Sequence, residues 1–163
     1  MKKIGLLSDT HGYLPGTAHS FLADCYEIWH AGDIGDLETA KALASLKPLR
    51  AVYGNIDGTG IRSFYPLYQE FTCEKVKVLI IHIGGYPGKY SREARELIDR
   101  IKPKLFISGH SHILKVMNDH KNGLLHINPG AAGKSGFHQI STIVRFIIDD
   151  ENIRDLEILE IPK

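Results

Sequence analysis

At 163 residues the chain is long enough for one core-bearing domain, read here as residues 1–163, and 43% hydrophobic residues supply that core. Twenty basic against 19 acidic residues leave a formal charge of +1, and the charges are scattered, which argues against a general nucleic-acid or membrane footprint. No apolar run is long enough to span a bilayer, the first residues lack a signal peptide's apolar region and cleavage site, and Cys25 and Cys73 lack metal-motif spacing; a cytoplasmic protein with two reduced, buried thiols is expected.

The first strand is the apolar run Ile4, Leu6, Leu7, which ends abruptly at Ser8-Asp9-Thr10-His11-Gly12. A buried strand that delivers polar side chains at its carboxyl end has this look, and in an open α/β sheet ligands bind at that end. Side chains two apart on extended backbone point the same way, so Asp9 and His11 are expected to aim at one point. After the Leu14-Pro15-Gly16 turn, a helix begins at Thr17 or Ser20 and carries Phe21, Leu22 and Tyr26. Glu27 to His30 is the second strand, ending at Ala31-Gly32-Asp33. Asp36 caps a helix over Leu37 to Leu46, and Pro48 stops it. Leu49 to Tyr53 is the third strand, ending at Gly54-Asn55-Ile56-Asp57. Strand, helix, strand, helix, strand predicts parallel neighbours with right-handed crossovers, so Asp9, Asp33 and Asn55 converge on one edge.

Tyr68 to Cys73 and Lys75 to His82 read as a hairpin, followed by the glycine-rich loop Ile83 to Gly88, which lacks a P-loop ending. Ser91 caps a helix through Leu97, Ile98 and Ile101, broken by Pro103. Leu105 to Ser108 is a buried strand ending at Gly109-His110-Ser111-His112. Ile113 to Met117 and Leu124 to Ile127 flank the hairpin signal Asn122-Gly123, Asn128-Pro129-Gly130 is a turn, and Ser141 to Ile148 pairs with Ile153 to Ile161. The expected architecture is α/β, with two mixed sheets packed face to face and helices outside.

Asp9, His11, Asp33, Asn55, His82, His110 and His112 all stand at strand ends beside small residues. Imidazole and carboxylate ligands suit Mn, Fe, Ni, Co or Zn, and the lack of thiolates argues against a structural zinc site. Seven ligands exceed the needs of one ion and suit two ions sharing a carboxylate, a pair that generates hydroxide near neutral pH and clamps phosphoryl oxygens.

Asp9-x-His11, Gly32-Asp33, Gly54-Asn55-x-Asp57, His82 and Gly109-His110-x-His112, in this order, resemble the signature of the calcineurin-like metallophosphoesterase superfamily. The short chain, the Asn128-Pro129-Gly130 turn and the closing strands resemble its small bacterial and archaeal YfcE-like phosphodiesterases. The resemblance implies a four-layer αββα sandwich and a dinuclear centre of two divalent ions, with Mn the first choice and Ni, Fe, Co or Zn as alternatives. It implies that Asp9, His11 and His112 hold one metal, that Asn55, His82 and His110 hold the other, and that Asp33 bridges them. Asn55 would also bind a phosphate oxygen and act in catalysis. Asp57 would support catalysis by orienting a histidine. The implied substrate is a small phosphate ester, with neither membrane nor nucleic acid as partner; a homo-oligomer through Phe64-Tyr65-Pro66 stays open.

Two positions depart from the family pattern. Ile56 stands where many members have a histidine that acts as general acid, so His30, Asp57 or a metal-bound water would have to substitute. Ile83 stands where glycine is usual, and Gly84-Gly85 would provide the close approach one residue later. His19, His120, His126 and His138 are read as surface or packing residues. The alternative function is a non-catalytic interaction scaffold on the same fold, as in the retromer subunit Vps29; intact ligands at all seven positions favour the enzyme.

Overall fold

The computed structural model describes residues 1–163. Its first half runs β1 (Lys2–Leu7), α1 (Ala18–Leu22), β2 (Glu27–His30), α2 (Leu37–Leu46), β3 (Leu49–Ala51) and α3 (Thr59–Arg62). The second half runs β4 (Tyr68–Cys73), β5 (Val76–Ile81), β6 (Gly85–Tyr86), β7 (Lys89–Tyr90), α4 (Arg92–Ile101), β8 (Leu105–Ile107), β9 (Leu114–Asp119), β10 (Leu124–Pro129), β11 (Ile140–Asp149) and β12 (Asn152–Pro162).

Two five-stranded mixed sheets result, ordered β12-β11-β1-β2-β3 and β4-β5-β8-β10-β9. In the first, β1, β2 and β3 are parallel, while β11 is antiparallel to both β1 and β12. In the second, β5, β8 and β10 are parallel, with β4 and β9 antiparallel at the edges. The parallel strands are apolar on both faces because both faces are covered. Ile4 and Leu6 of β1 join Trp29, Val78, Ile80, Leu105, Ile107 and Phe146 in the core between the sheets. Leu7 packs on the opposite face against Leu22 of α1 and Leu43 of α2. On the far side of the second sheet, Ala94, Leu97, Ile98 and Ile101 of α4 cover Leu79, Ile81 and Phe106. The order is helices, sheet, sheet, helix: the four-layer αββα sandwich.

Local signals place the helices. The Asp36 carboxylate accepts the Thr39 N–H at 2.8 Å and starts α2, and Ser91 Oγ accepts the Ala94 N–H at 3.1 Å and starts α4. Lys102 leaves α4 in a left-handed conformation just before Pro103. Cys25 and Cys73 are free and buried, as expected. No helix is long and apolar enough to cross a membrane.

The structure corrects the sequence reading in four places. The third strand stops at Ala51 rather than Tyr53. The loop after His82 contains the small β6–β7 hairpin, and α3 forms between β3 and β4. These pieces are too short for a periodicity to show. Asn128 and Pro129 end β10 instead of forming a turn; the pairing with β8 reaches only Ile127, so Pro129 lies beyond the ladder on that side.

Candidate metal centre

The seven strand-end residues meet at the shared carboxyl edge of the two sheets. Asp9, His11 and His112 bring ligand atoms within 4.8 Å of one another, as do Asp33, His82 and His110. Asp33 Oδ2 lies 3.4 Å from His11 Nε2 and 3.2 Å from His82 Nε2, so one carboxylate oxygen stands between the sets. Asp9 Oδ1 is 3.3 Å from His112 Nε2 and 3.8 Å from both His11 Nε2 and His82 Nε2. Asn55 Oδ1 approaches His110 Nδ1 at 3.1 Å, which seats the amide beside the second set.

The convergence does not come from strand alternation. β1 ends at Leu7, and Asp9 and His11 both adopt left-handed backbone, φ 54° and 47°. Asp33, His110 and His112 do the same, at φ 57°, 71° and 63°. Left-handed backbone costs a non-glycine residue roughly 1–2 kcal/mol. Five ligand candidates sharing it mark a site where positioning outweighs local preference. Neighbouring backbone holds the turns: the Asp9 N–H donates to Gly32 O at 2.9 Å and the His11 N–H to Asp33 O at 3.1 Å.

Hydrogen bonding then leaves selected atoms free. Asp9 Oδ2 accepts from Ser8 Oγ–H at 2.6 Å and from the His110 N–H at 3.1 Å, while Oδ1 has no partner. His82 Nδ1 is 2.7 Å from the Ala31 carbonyl, so it carries the proton and Nε2 presents a lone pair. Nε2 of His82 and of His11 is buried without a partner. Three orphaned buried atoms of ligating type are costly unless something positive sits among them. Ligands bound at about 2.0–2.2 Å around one ion stand roughly 3–3.6 Å apart, close to the spacings found here. The donor set therefore fits divalent metal ions.

The electrostatics agree. Burial alone would raise the Asp9 carboxyl, but His11, His112, His82 and Ser8 together hold it well below the usual carboxylate range. Asp33 is likewise lowered, its burial outweighed chiefly by His82. His11 is raised, first by the Asp9 carboxylate beside it. His82 is raised as well: burial works against its charge, but Asp33 and Asp9 prevail. The shifts at His11 and His82 both favour positive charge beside the carboxylates, the charge that a bound metal ion would supply while displacing protons.

The supporting residues divide differently from the sequence expectation. Asp57 does not orient a histidine. Its carboxylate accepts three backbone N–H groups, from Ile34 at 3.1 Å, Gly35 at 2.9 Å and Gly54 at 2.8 Å, and so ties the Asp33 loop to the Asn55 loop. At 2% exposure it is a positioning residue. His30 is wholly buried, accepts the Gly32 N–H at Nδ1 and bonds Thr10 Oγ1 through Nε2; burial pushes it down to about 4. Neither can take the place of the proton donor missing at Ile56, which contributes only its backbone N–H, to Asp33 Oδ1. Gly84 does provide the close approach expected of it: a Cβ there would lie 2.6 Å from the Phe106 ring.

Several contributors escaped sequence reading. Ser8 locks Asp9, and its adjacency was the available signal. Gly109 lets the His110 loop descend onto that pair, since a Cβ there would lie 2.2 Å from Ser8 Oγ and 2.9 Å from Asp9 Oδ2. His138 sets its ring edge-on to His112 at 5.3 Å, and nothing local in the sequence links them. Arg62 of α3 lies over the Tyr53 ring, donates from Nε to Asp57 O, and lines a cavity of about 370 Å³ with Asn55 and His82.

Comparison with known proteins accords with this geometry. The profile of the calcineurin-like phosphoesterase superfamily domain matches residues 1–151. A curated relative from Methanothermobacter thermautotrophicus, described as a probable metallophosphoesterase, is 30% identical over 136 residues, covering 78% of this chain and 76% of that protein. The chain belongs to the calcineurin-like phosphoesterase superfamily. Among solved structures, a protein characterised as a novel archaeal phosphodiesterase superposes with a TM-score of 0.75 at 24% identity, over 96% of this chain and 99% of the other. Zinc-complexed Vps29 from Entamoeba histolytica superposes with a TM-score of 0.76 at 16% identity, over 98% of each chain. At these identities the two structures speak for the fold alone.

Proposed function

We propose that this chain is a cytoplasmic, metal-dependent phosphodiesterase that cleaves a small phosphate ester at a dinuclear centre. One observation carries the reading: two sets of ligand atoms with Asp33 Oδ2 between them, and Asp9 Oδ1, His11 Nε2 and His82 Nε2 buried without partners. Asp9, His11 and His112 would hold one ion, Asn55, His82 and His110 the other, and Asp33 both. Two divalent ions, when bound, supply hydroxide at neutral pH and positive charge for the phosphoryl oxygens. Mn is the first candidate, with Ni, Fe, Co and Zn behind it.

The chain's own residues do the rest. Asn55 is exposed at the mouth of the site, and its amide nitrogen can donate to a phosphoryl oxygen while the oxygen turns toward His110. Asp57 fixes the loops that carry Asp33 and Asn55. Arg62 lines the cavity beside Asn55 and His82 and would supply a cation to a leaving oxygen there; a guanidinium donates hydrogen bonds but gives up no proton at neutral pH. Activity should therefore favour esters with good leaving groups. A scaffold like Vps29 on this fold is the second reading, and the intact ligand set weighs against it.

The deciding experiment is hydrolysis of bis-p-nitrophenyl phosphate and p-nitrophenyl phosphate by chelator-stripped protein, with Mn, Ni, Co, Zn and Mg added singly. Metal-restored cleavage of the diester, lost in His82→Ala by more than about 100-fold, is expected. Stoichiometric binding of two ions without any hydrolysis would refute the enzyme reading and leave the scaffold.

A further inference from the structure

A second cavity, of about 240 Å³, adjoins the metal centre on the other side of Ile83 and Ser91. Its inner wall is the outer face of β9 and β10, where Lys115 stands opposite Asn128 in the ladder. Its outer wall is the β6–β7 hairpin, where Tyr86 stands opposite Lys89. His110 and Gly109 form the edge toward the metal centre.

Four features of this cavity bear on what it would hold. Lys89 and Lys115 line it, and no carboxylate forms an ion pair with either. No acidic residue lines it at all. The Lys115 ammonium rests 4.3 Å from the centre of the Tyr86 ring, which pins the hairpin and the cation together. Finally, His126 is fully buried and lines the cavity with its Nε2 unpartnered. Its Nδ1 donates to the Phe106 carbonyl at 3.1 Å and its ring stacks on Phe106, so the orientation is fixed. Burial pushes this imidazole down to about 4, so at neutral pH Nε2 is an acceptor awaiting a donor.

Resting on the phosphodiesterase reading, we infer that this cavity is a subsite for one arm of the diester, and that the arm is a phosphorylated polyol. Two unpaired ammonium groups call for an anion, and a buried unpartnered acceptor calls for a hydroxyl. The volume lies below the ~300–1,000 Å³ of sites for drug-sized ligands, which suits a short arm. A ligand spanning both sites puts one phosphate at the metal centre and the second between Lys89 and Lys115, with a hydroxyl directed to His126.

The test is calorimetric titration of the Mn-loaded full chain with three probes: 1,3-propanediol monophosphate, 1,3-propanediol bisphosphate and glycerol 1,3-bisphosphate. The bisphosphate is expected to bind about tenfold more tightly than the monophosphate, and Lys89→Ala with Lys115→Ala to abolish that ratio. The glycerol compound is expected to gain a further factor of about five, lost in His126→Phe, which keeps a ring against Phe106. If that variant fails to fold, the lysine arm still decides the matter. Equal affinity for mono- and bisphosphate overturns the subsite and spares the phosphodiesterase reading. Binding of the bisphosphate but not the monophosphate does the reverse, and binding of neither overturns both.

Discussion

Asp57→Asn separates a positioning carboxylate from a catalytic one. In the native structure Oδ2 accepts the Ile34 and Gly54 N–H groups and Oδ1 accepts the Gly35 N–H. Hydrogen bonds to a carboxylate contribute about 1.5–3 kcal/mol each. An asparagine keeps one oxygen, enough for two donors without charge assistance, and turns an NH₂ group toward the third. The two weakened bonds lose roughly 0.5–1 kcal/mol each and the orphaned N–H about 1–3 kcal/mol, for a total of roughly 2–5 kcal/mol. Asp57→Ala removes all three bonds, about 4.5–9 kcal/mol, comparable with the ~5–15 kcal/mol stability of a typical domain, so it is expected to fold poorly. Urea unfolding of metal-free Asp57→Asn should show the midpoint shift, and competition with a chromogenic chelator should show metal affinity down about 10–100-fold. At saturating metal the pH profile of diester hydrolysis should keep its shape. An acidic limb that disappears in Asp57→Asn, with stability unchanged, would refute the reasoning and make Asp57 a proton-transfer group.

Three further outcomes follow from the same geometry. His126 is buried neutral, with its value pushed from the ordinary 6.5 down to about 4, so the unfolded chain takes up a proton first as pH falls. Stability is full above pH ~6.5 and drops by up to about 3 kcal/mol as pH falls toward 4; His126→Phe should flatten that part of the metal-free unfolding profile, whereas an unchanged slope would mean that His126 is protonated in the fold. Arg62→Ala should lower kcat/KM for alkyl-ester arms by about 10–100-fold and for p-nitrophenyl arms by much less, and a uniform loss across leaving groups would remove Arg62 from the reaction. Gly109→Ala drives a methyl into the Ser8–Asp9 pair and should cost about 1–3 kcal/mol in thermal unfolding along with tight metal binding; a variant that loads metal normally would show that the His110 loop has slack.

Much of the site was legible because each candidate sits at the end of an apolar run. Ile4, Leu6 and Leu7 lead to Asp9, and Leu105 to Ile107 lead to His110 and His112; the same runs are buried on both faces in the structure. Alternation of strands and helices then forces their carboxyl ends to one edge, a consequence of chain connectivity rather than of any contact. The caps at Asp36 and Ser91 were equally local, since a side-chain oxygen meets an N–H three residues on.

What the sequence could not carry were relations between distant segments. The left-handed turns at Asp9, His11, Asp33, His110 and His112 are held by bonds such as Asp9 N–H to Gly32 O, and no local propensity announces them. The family resemblance implied that Asp57 orients a histidine; only packing shows that its lone pairs face backbone N–H groups. His126 and Lys115 read as strand residues, and Lys89, just past the glycine-rich loop, drew no reading, until the β6–β7 hairpin folds over them and leaves one acceptor and two cations around a common cavity. Sequence determined which chemical groups this protein brings to its sheet edges. Tertiary structure decided which of their atoms are already hydrogen-bonded and which stay open to a ligand, because that depends on partners more than 20 residues away, as with the His110 N–H that donates to Asp9 and the Ala31 carbonyl that accepts from His82.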